Sequence, residues 1–148
     1  VVDTALSVAK DGTRQAIESV VEAASAVGDW IEAIETNVLR NAIRPFDTLG
    51  DLYREPGLGA RRPSRIHAIE ELPIALGALV VAQGSVRDAV LLGTNYGRDS
   101  DSIASMAGGL AGALNGEPGV PRDWVSHVSD ASRVDLHAPA ETLCEVTR

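Results

Sequence analysis

Between Ile103 and Leu114 almost every side chain is small: Ser105, Ala107, Gly108, Gly109, Ala111, Gly112 and Ala113. No other run limits the fold as strongly. Its apolar spacing predicts a helix over 103–114. Each glycine inside a helix costs about 1 kcal/mol relative to alanine. A helix that tolerates Gly108, Gly109 and Gly112 therefore implies another backbone at very close range, as at the centre of a helical bundle. These glycines are not a dinucleotide fingerprint, because no strand precedes them.

The rest of the chain reads the same way. Helical spacing is visible over 2–10, 13–27 and 30–43, with Pro45 as the expected stop of the third helix. Residues 46–64 are rich in Gly, Pro, Asp and Arg and read as a long loop, with one helical turn near 49–53. Ser64 is placed to cap a helix over 65–83, in which Pro73 either makes a kink or marks the true first turn. A break at Gly84-Ser85 precedes a short helix over 86–92, then a Gly- and Asp-rich loop over 93–102. Residues 116–121 form a turn, Pro121 suits a first helical position, and the tail from Asp130 is helix-compatible. No β-alternation and no internal repeat stand out. The expected fold is all-α, a compact multi-helix bundle, with 1–148 forming part of a single domain.

Composition excludes several functions. The formal net charge of −8 opposes a surface that tracks nucleic-acid phosphates, which needs clustered Lys and Arg. The run Arg61, Arg62 and Arg65 is short and reads as a solvated loop. The richest apolar run, 72–82, is about half the roughly 20 residues that span a bilayer, so no membrane partner is expected. The single Cys144 cannot form an internal disulfide, which points to a reducing, cytoplasmic setting. The chain begins with valine, as a piece of a longer or processed chain would.

The chemistry concentrates in Asn95-Tyr96-Gly97-Arg98-Asp99-Ser100-Asp101-Ser102. Two carboxylates lie two residues apart, beside a hydroxyl, just before a helix. Hard cations such as Mg²⁺, Mn²⁺ and Ca²⁺ take such oxygen ligands. In an extended loop Asp99 and Asp101 would point to one side, and Ser102 could cap the next helix or ligate a metal. The same residues also suit plain capping and complementing of the helix dipole. A calcium loop of the EF-hand type is excluded, because Ile103 and Leu110 stand where oxygen ligands would be required. Upstream, His67 and Glu70 lie three apart on one helical face, with Glu71 near it; they either face a cleft or form a surface ion pair.

The run from Asn95 to Gly116, NYGRDSDSIASMAGGLAGALNG, resembles the C-terminal signature of the ADP-ribosylglycohydrolase family, a G-x-D-x-D-T/S loop leading into a helix of the type A-x-x-G-x-x-A-G-A. Val120-Pro121-Arg122-Asp123-Trp124 is similar to the turn and helix that follow in that family, and the stretch from His67 to Leu76 to the helix that precedes the signature. The resemblance implies an all-α bundle with a cleft holding two divalent ions, Mg²⁺ or Mn²⁺. It implies that Asp99 and Asp101 are catalytic metal ligands, Asp101 the bridging one, and that Ser102 is a hydroxyl ligand. It places Asn95, Tyr96, Gly97 and Arg98 beside the ribose and phosphates of an ADP-ribosyl substrate, with His67 and Glu70 as further substrate-side candidates. The implied activity is hydrolysis of a glycosidic bond to ribose, as in ADP-ribosyl conjugates or nucleoside-like metabolites. The family's remaining ligands come from an N-terminal T-D-D-type motif and a G-D-A-x-G-type motif, and no two aspartates are adjacent in this chain. Ser102 also stands where threonine is commoner. The expectation is thus a C-terminal portion completed by an N-terminal segment or companion chain, or else an inactive binding or scaffold protein of the same fold.

Overall fold

The computed structural model describes residues 1–47, 67–135 and 137–146, and among these the protein is all-α. Helix α1 (Val2–Val8) leads into α2 (Asp11–Ser25), which buries Ala16, Ile17, Val20 and Ala24 along one stripe. The single helix expected over 30–43 is two: α3 (Trp30–Glu35) and α4 (Val38–Asp47). Asn37 between them has φ 53°, a left-handed conformation that asparagine tolerates better than most residues. Asp29 caps α3 by accepting from the N–H groups of Ile31 and Glu32. Pro45 does not end α4. It sits in the last turn, where it forfeits the bond to the Asn41 carbonyl and the helix runs only two residues further, to Asp47. Ser64 and most of the expected loop over 46–64 lie outside the described residues.

The next segment opens with a π-helical turn, His67–Glu71, and continues as α5 (Leu72–Val81). Pro73 falls in the first turn of α5, the second of its two expected roles, since a residue without an N–H suits that position. Pro73, Ile74, Ala75, Leu76, Gly77, Ala78, Leu79 and Val81 are all buried. A helix apolar on all sides belongs at the centre, and α2, α6 (Val86–Asn95) and α7 (Ser100–Asn115) pack around it.

This corrects the expectation that the small-residue helix is central. Helix α7 buries Ile103, Ala107 and Ala111, one residue per turn, while space is open beside Gly109 and Gly112. The closest approach comes from α6 instead: a Cβ on Gly93 would lie 2.7 Å from the Cα of Ala104. Gly77 in α5 similarly makes room for Val20 of α2, 2.6 Å from where its Cβ would be. After a 3₁₀ turn at Glu117–Gly119, α8 (Arg122–Ser132) and α9 (His137–Val146) follow, and neither has a buried residue. Pro121 precedes α8 as its N-cap, one position earlier than expected. Among the described residues no helix is long and apolar enough to cross a membrane.

Candidate functional site

Helices α6 and α7 are joined by a turn of only 96–99. The loop expected over 93–102 is therefore much shorter, and the extended-strand geometry expected for Asp99 and Asp101 does not hold. Asp99 is the N-cap of α7 and Asp101 its second residue. The side chain of Asp99 makes no capping hydrogen bond to the helix, and Asp101 is exposed in the first turn, where its charge complements the dipole. Ser102 lies inside the helix and does not cap it. The hydroxyl that shapes the turn is that of Ser100, which accepts from the N–H of Gly97 at 3.1 Å. Gly97 has φ +86°, a backbone conformation that explains a glycine here. Asn95 ends α6 with its side chain exposed, donating back to the carbonyl of Leu91.

Beneath this acidic head sits a buried polar hub. Glu70, in the π-helical turn, is 1% exposed. It is not part of an exposed ion pair, the alternative its spacing from His67 left open; the side chain of His67 lies outside the described residues. The Oε1 of Glu70 accepts from the hydroxyl of Tyr96 at 2.9 Å and pairs with Nε of Arg98 at 3.2 Å. Its Oε2 is buried with no hydrogen-bond partner among the described residues. Tyr96 is itself buried, and burial, then the charge of Glu70 and the hydrogen bond to it, push the phenol's pKa above its ordinary range. From the opposite side Arg40 of α4 donates through Nη2 to the carbonyl of Tyr96 at 2.7 Å, and its guanidinium lies over the Tyr96 ring, 5.3 Å from the centroid.

The turn thus brings Asn95, Tyr96, Gly97, Arg98, Asp99 and Asp101 together, and Glu70 joins them from 26 residues away. Arg40 is the member that sequence reasoning missed. It is 56 residues from its carbonyl partner, and no local pattern marks it; the one hint is an arginine next to Leu39 on an otherwise core-forming helix.

The donor set meets only part of what the divalent ions implied by the resemblance require. Two carboxylates and a hydroxyl are hard oxygen donors, the right type for Mg²⁺ or Mn²⁺. Their number is short: among the described residues no three His, Cys, Asp or Glu side chains gather as a metal site. These residues fit one side of an ion site and no more. A groove of about 420 Å³ between α6, α7 and α8 lies elsewhere, lined by Val86, Val90, Ala104, Trp124 and Val128 among others, with no charged residue. It explains the open space beside Gly109, which helps line it, and it lacks the groups that acid–base or metal chemistry needs.

Known proteins agree with the family suggested by these residues. The family model for ADP-ribosylglycohydrolase matches residues 1–148. The chain is 43% identical over 63 residues to the ADP-ribosylarginine hydrolase Tri1 of Pseudomonas putida, covering 43% of this chain and 17% of that protein. It is 35% identical over 68 residues to the Tri1 of Serratia proteamaculans, covering 46% of this chain and 18% of that protein. It is 26% identical over 112 residues to the uncharacterized protein YegU of Escherichia coli, covering 76% of this chain and 32% of that protein. The chain therefore spans less than a third of the length of each of these relatives. No solved structure matches it. On the family match along its whole length, the chain belongs to the ADP-ribosylglycohydrolase family.

Proposed function

We propose that this chain contributes the Asp99–Asp101 side of the site of a metal-dependent hydrolase that cleaves the glycosidic bond joining ADP-ribose to an acceptor. The observation that supports this reading most is the pairing of the family match with an acidic head, Asp99 and Asp101, at the start of α7 on a braced turn. Arginine is the first acceptor to test, given the names of the Tri1 relatives. Asp99, Asp101 and Ser102 would hold Mg²⁺ or Mn²⁺. When bound, the ions supply fixed positive charge that orients the ribose hydroxyls and a water at the anomeric carbon.

The chain's own residues divide the work. Asn95, Gly97 and Arg98 are exposed, where ribose and phosphate groups would meet them, while the Arg98 guanidinium also pairs inward with Glu70. Tyr96 and Glu70 lie inside and hold the turn in place. The remaining ligands would come from an N-terminal segment or companion chain bearing adjacent aspartates. The single, exposed Cys144 accords with a reducing, cytoplasmic setting.

The test is to incubate the intact protein with ADP-ribosyl-arginine, ADP-ribosyl-serine and an ADP-ribosylated nucleic-acid end, with Mg²⁺ and again with excess EDTA. Release of free ADP-ribose from the arginine conjugate, lost in EDTA, is the expected result. Binding of the conjugates with no release from any of them favours the second reading, an inactive ADP-ribosyl-binding protein of this fold.

A further inference from the structure

We infer that Arg40 is a positioning residue for the acidic head, clamping the 96–99 turn that leads into Asp99 and Asp101. The inference rests on the metal-binding role proposed above for those two aspartates. The backbone hydrogen bonds around the turn are local: Tyr96 N–H to the Gly93 carbonyl at 3.4 Å, Ile103 N–H to the Asp99 carbonyl at 3.1 Å, and Gly97 N–H to the Ser100 hydroxyl at 3.1 Å. Gly97, with positive φ and no side chain, gives the turn little stiffness of its own. Restraint from elsewhere in the fold includes Glu70, which holds the phenol of Tyr96 and the guanidinium of Arg98. Arg40 adds a different grip, because it takes the main chain itself, at the Tyr96 carbonyl.

The guanidinium is suited to this task. Its Cζ lies over the Tyr96 ring while Nη2 reaches the carbonyl, and the same Nη2 lies 3.5 Å from the position a Cβ would take on Gly97. One side chain therefore touches the ring, the carbonyl and the glycine at the base of the turn. Arg40 stands on α4, which packs against α2 and α5. It fixes the head of α7 to a part of the bundle that α7 does not otherwise contact closely. A ligand pair held by so short a turn depends on the placement of that turn's backbone, and supports behind metal ligands are typically worth about 10–100-fold in metal affinity.

The experiment measures Mn²⁺ affinity, from the free-ion EPR signal, for the intact protein and its Arg40→Met, Arg40→Lys and Asp101→Asn variants. Amide hydrogen exchange and thermal unfolding are recorded on each. Arg40→Met is expected to weaken Mn²⁺ binding about ten-fold and to speed exchange at 94–101 with little change elsewhere. Arg40→Lys, which keeps a donor for the carbonyl but not the flat face, is expected to recover part of both. If Asp101→Asn loses Mn²⁺ while both Arg40 variants bind like the wild type, the role of Arg40 is wrong and the acidic head stands. Exchange that quickens evenly across the whole protein in Arg40→Met also overturns it. If Asp101→Asn binds Mn²⁺ like the wild type, the metal reading fails first and takes this inference with it. Should Arg40→Met not fold, Arg40→Lys decides alone: unchanged affinity and unchanged exchange at 94–101 overturn the proposal.

Discussion

Glu70 and Asp101 are both carboxylates of the same corner, and the fold treats them in opposite ways. Glu70 is shut away from water, and a buried charge is tolerable only with partners, so it is matched by the Tyr96 hydroxyl and by Arg98. Asp101 stands at the exposed start of α7, where water satisfies it and the helix dipole favours it. The first carboxylate is a fastening whose removal the fold would register. The second contributes little to stability, and the function proposed above gives it the metal. On that proposal the contrast separates support from chemistry within one corner of the fold.

The sharpest way to break that comparison is Asp101→Asn in the intact protein. Hydrolysis is expected to fall by a factor on the order of a thousand, the scale seen when a group that stabilises transition-state charge is removed. The melting temperature should stay nearly unchanged, as for most exposed substitutions. Normal turnover in an assay of ADP-ribose release would remove Asp101 from the mechanism. Glu70→Ala should do the reverse in urea denaturation, with a loss of roughly 1–3 kcal/mol, because it leaves the buried Tyr96 hydroxyl without its acceptor. An equal loss from Asp101→Asn would erase the distinction.

Tyr96→Phe is expected to cost about 1–3 kcal/mol, the penalty for leaving a buried acceptor short of a donor. It also carries a pH signature. The folded protein raises the phenol's pKa above the unfolded value of about 10, so the native state keeps a proton that the unfolded chain releases. Stability from this source is complete below about pH 10 and falls as pH rises toward the raised pKa. Alkaline unfolding monitored by circular dichroism should therefore begin later in Tyr96→Phe than its lower neutral stability alone predicts.

The smallest effects come from a pair of glycines. Gly93→Ala sets a Cβ against the backbone of Ala104 and should destabilise by about 1–3 kcal/mol through overpacking. Gly109→Ala meets nothing and should stabilise α7 by up to about 1 kcal/mol. Thermal melts of the two variants moving the same way would show that α7 is packed differently.

Much of the architecture was legible from local pattern. Glycines at Gly28 and Gly84 marked helix breaks, and the apolar stripe of Ile17, Val20 and Ala24 marked a buried face. The acidic head was legible too, because Gly97 through Ser102 carries its signal in consecutive residues. Less legible were features set by several segments at once. The split at Asn37, the π-helical turn ahead of Pro73 and the centrality of α5 depend on what packs against each element. The glycine content of α7 suggested another backbone at very close range, as at the centre of a bundle. In the fold one face meets α6 and another opens onto a groove.

Periodicity and composition alone determined an all-α chain with its acidic residues gathered before a glycine-rich helix, since each of those properties is written in neighbouring residues. Only tertiary structure decided that Glu70 would be buried, that Tyr96 would turn inward to meet it, and that Arg40 would reach across from another helix. The physical reason is that a buried charge is settled by whatever partners the fold delivers, and those partners lie 26 and 56 positions apart along the chain.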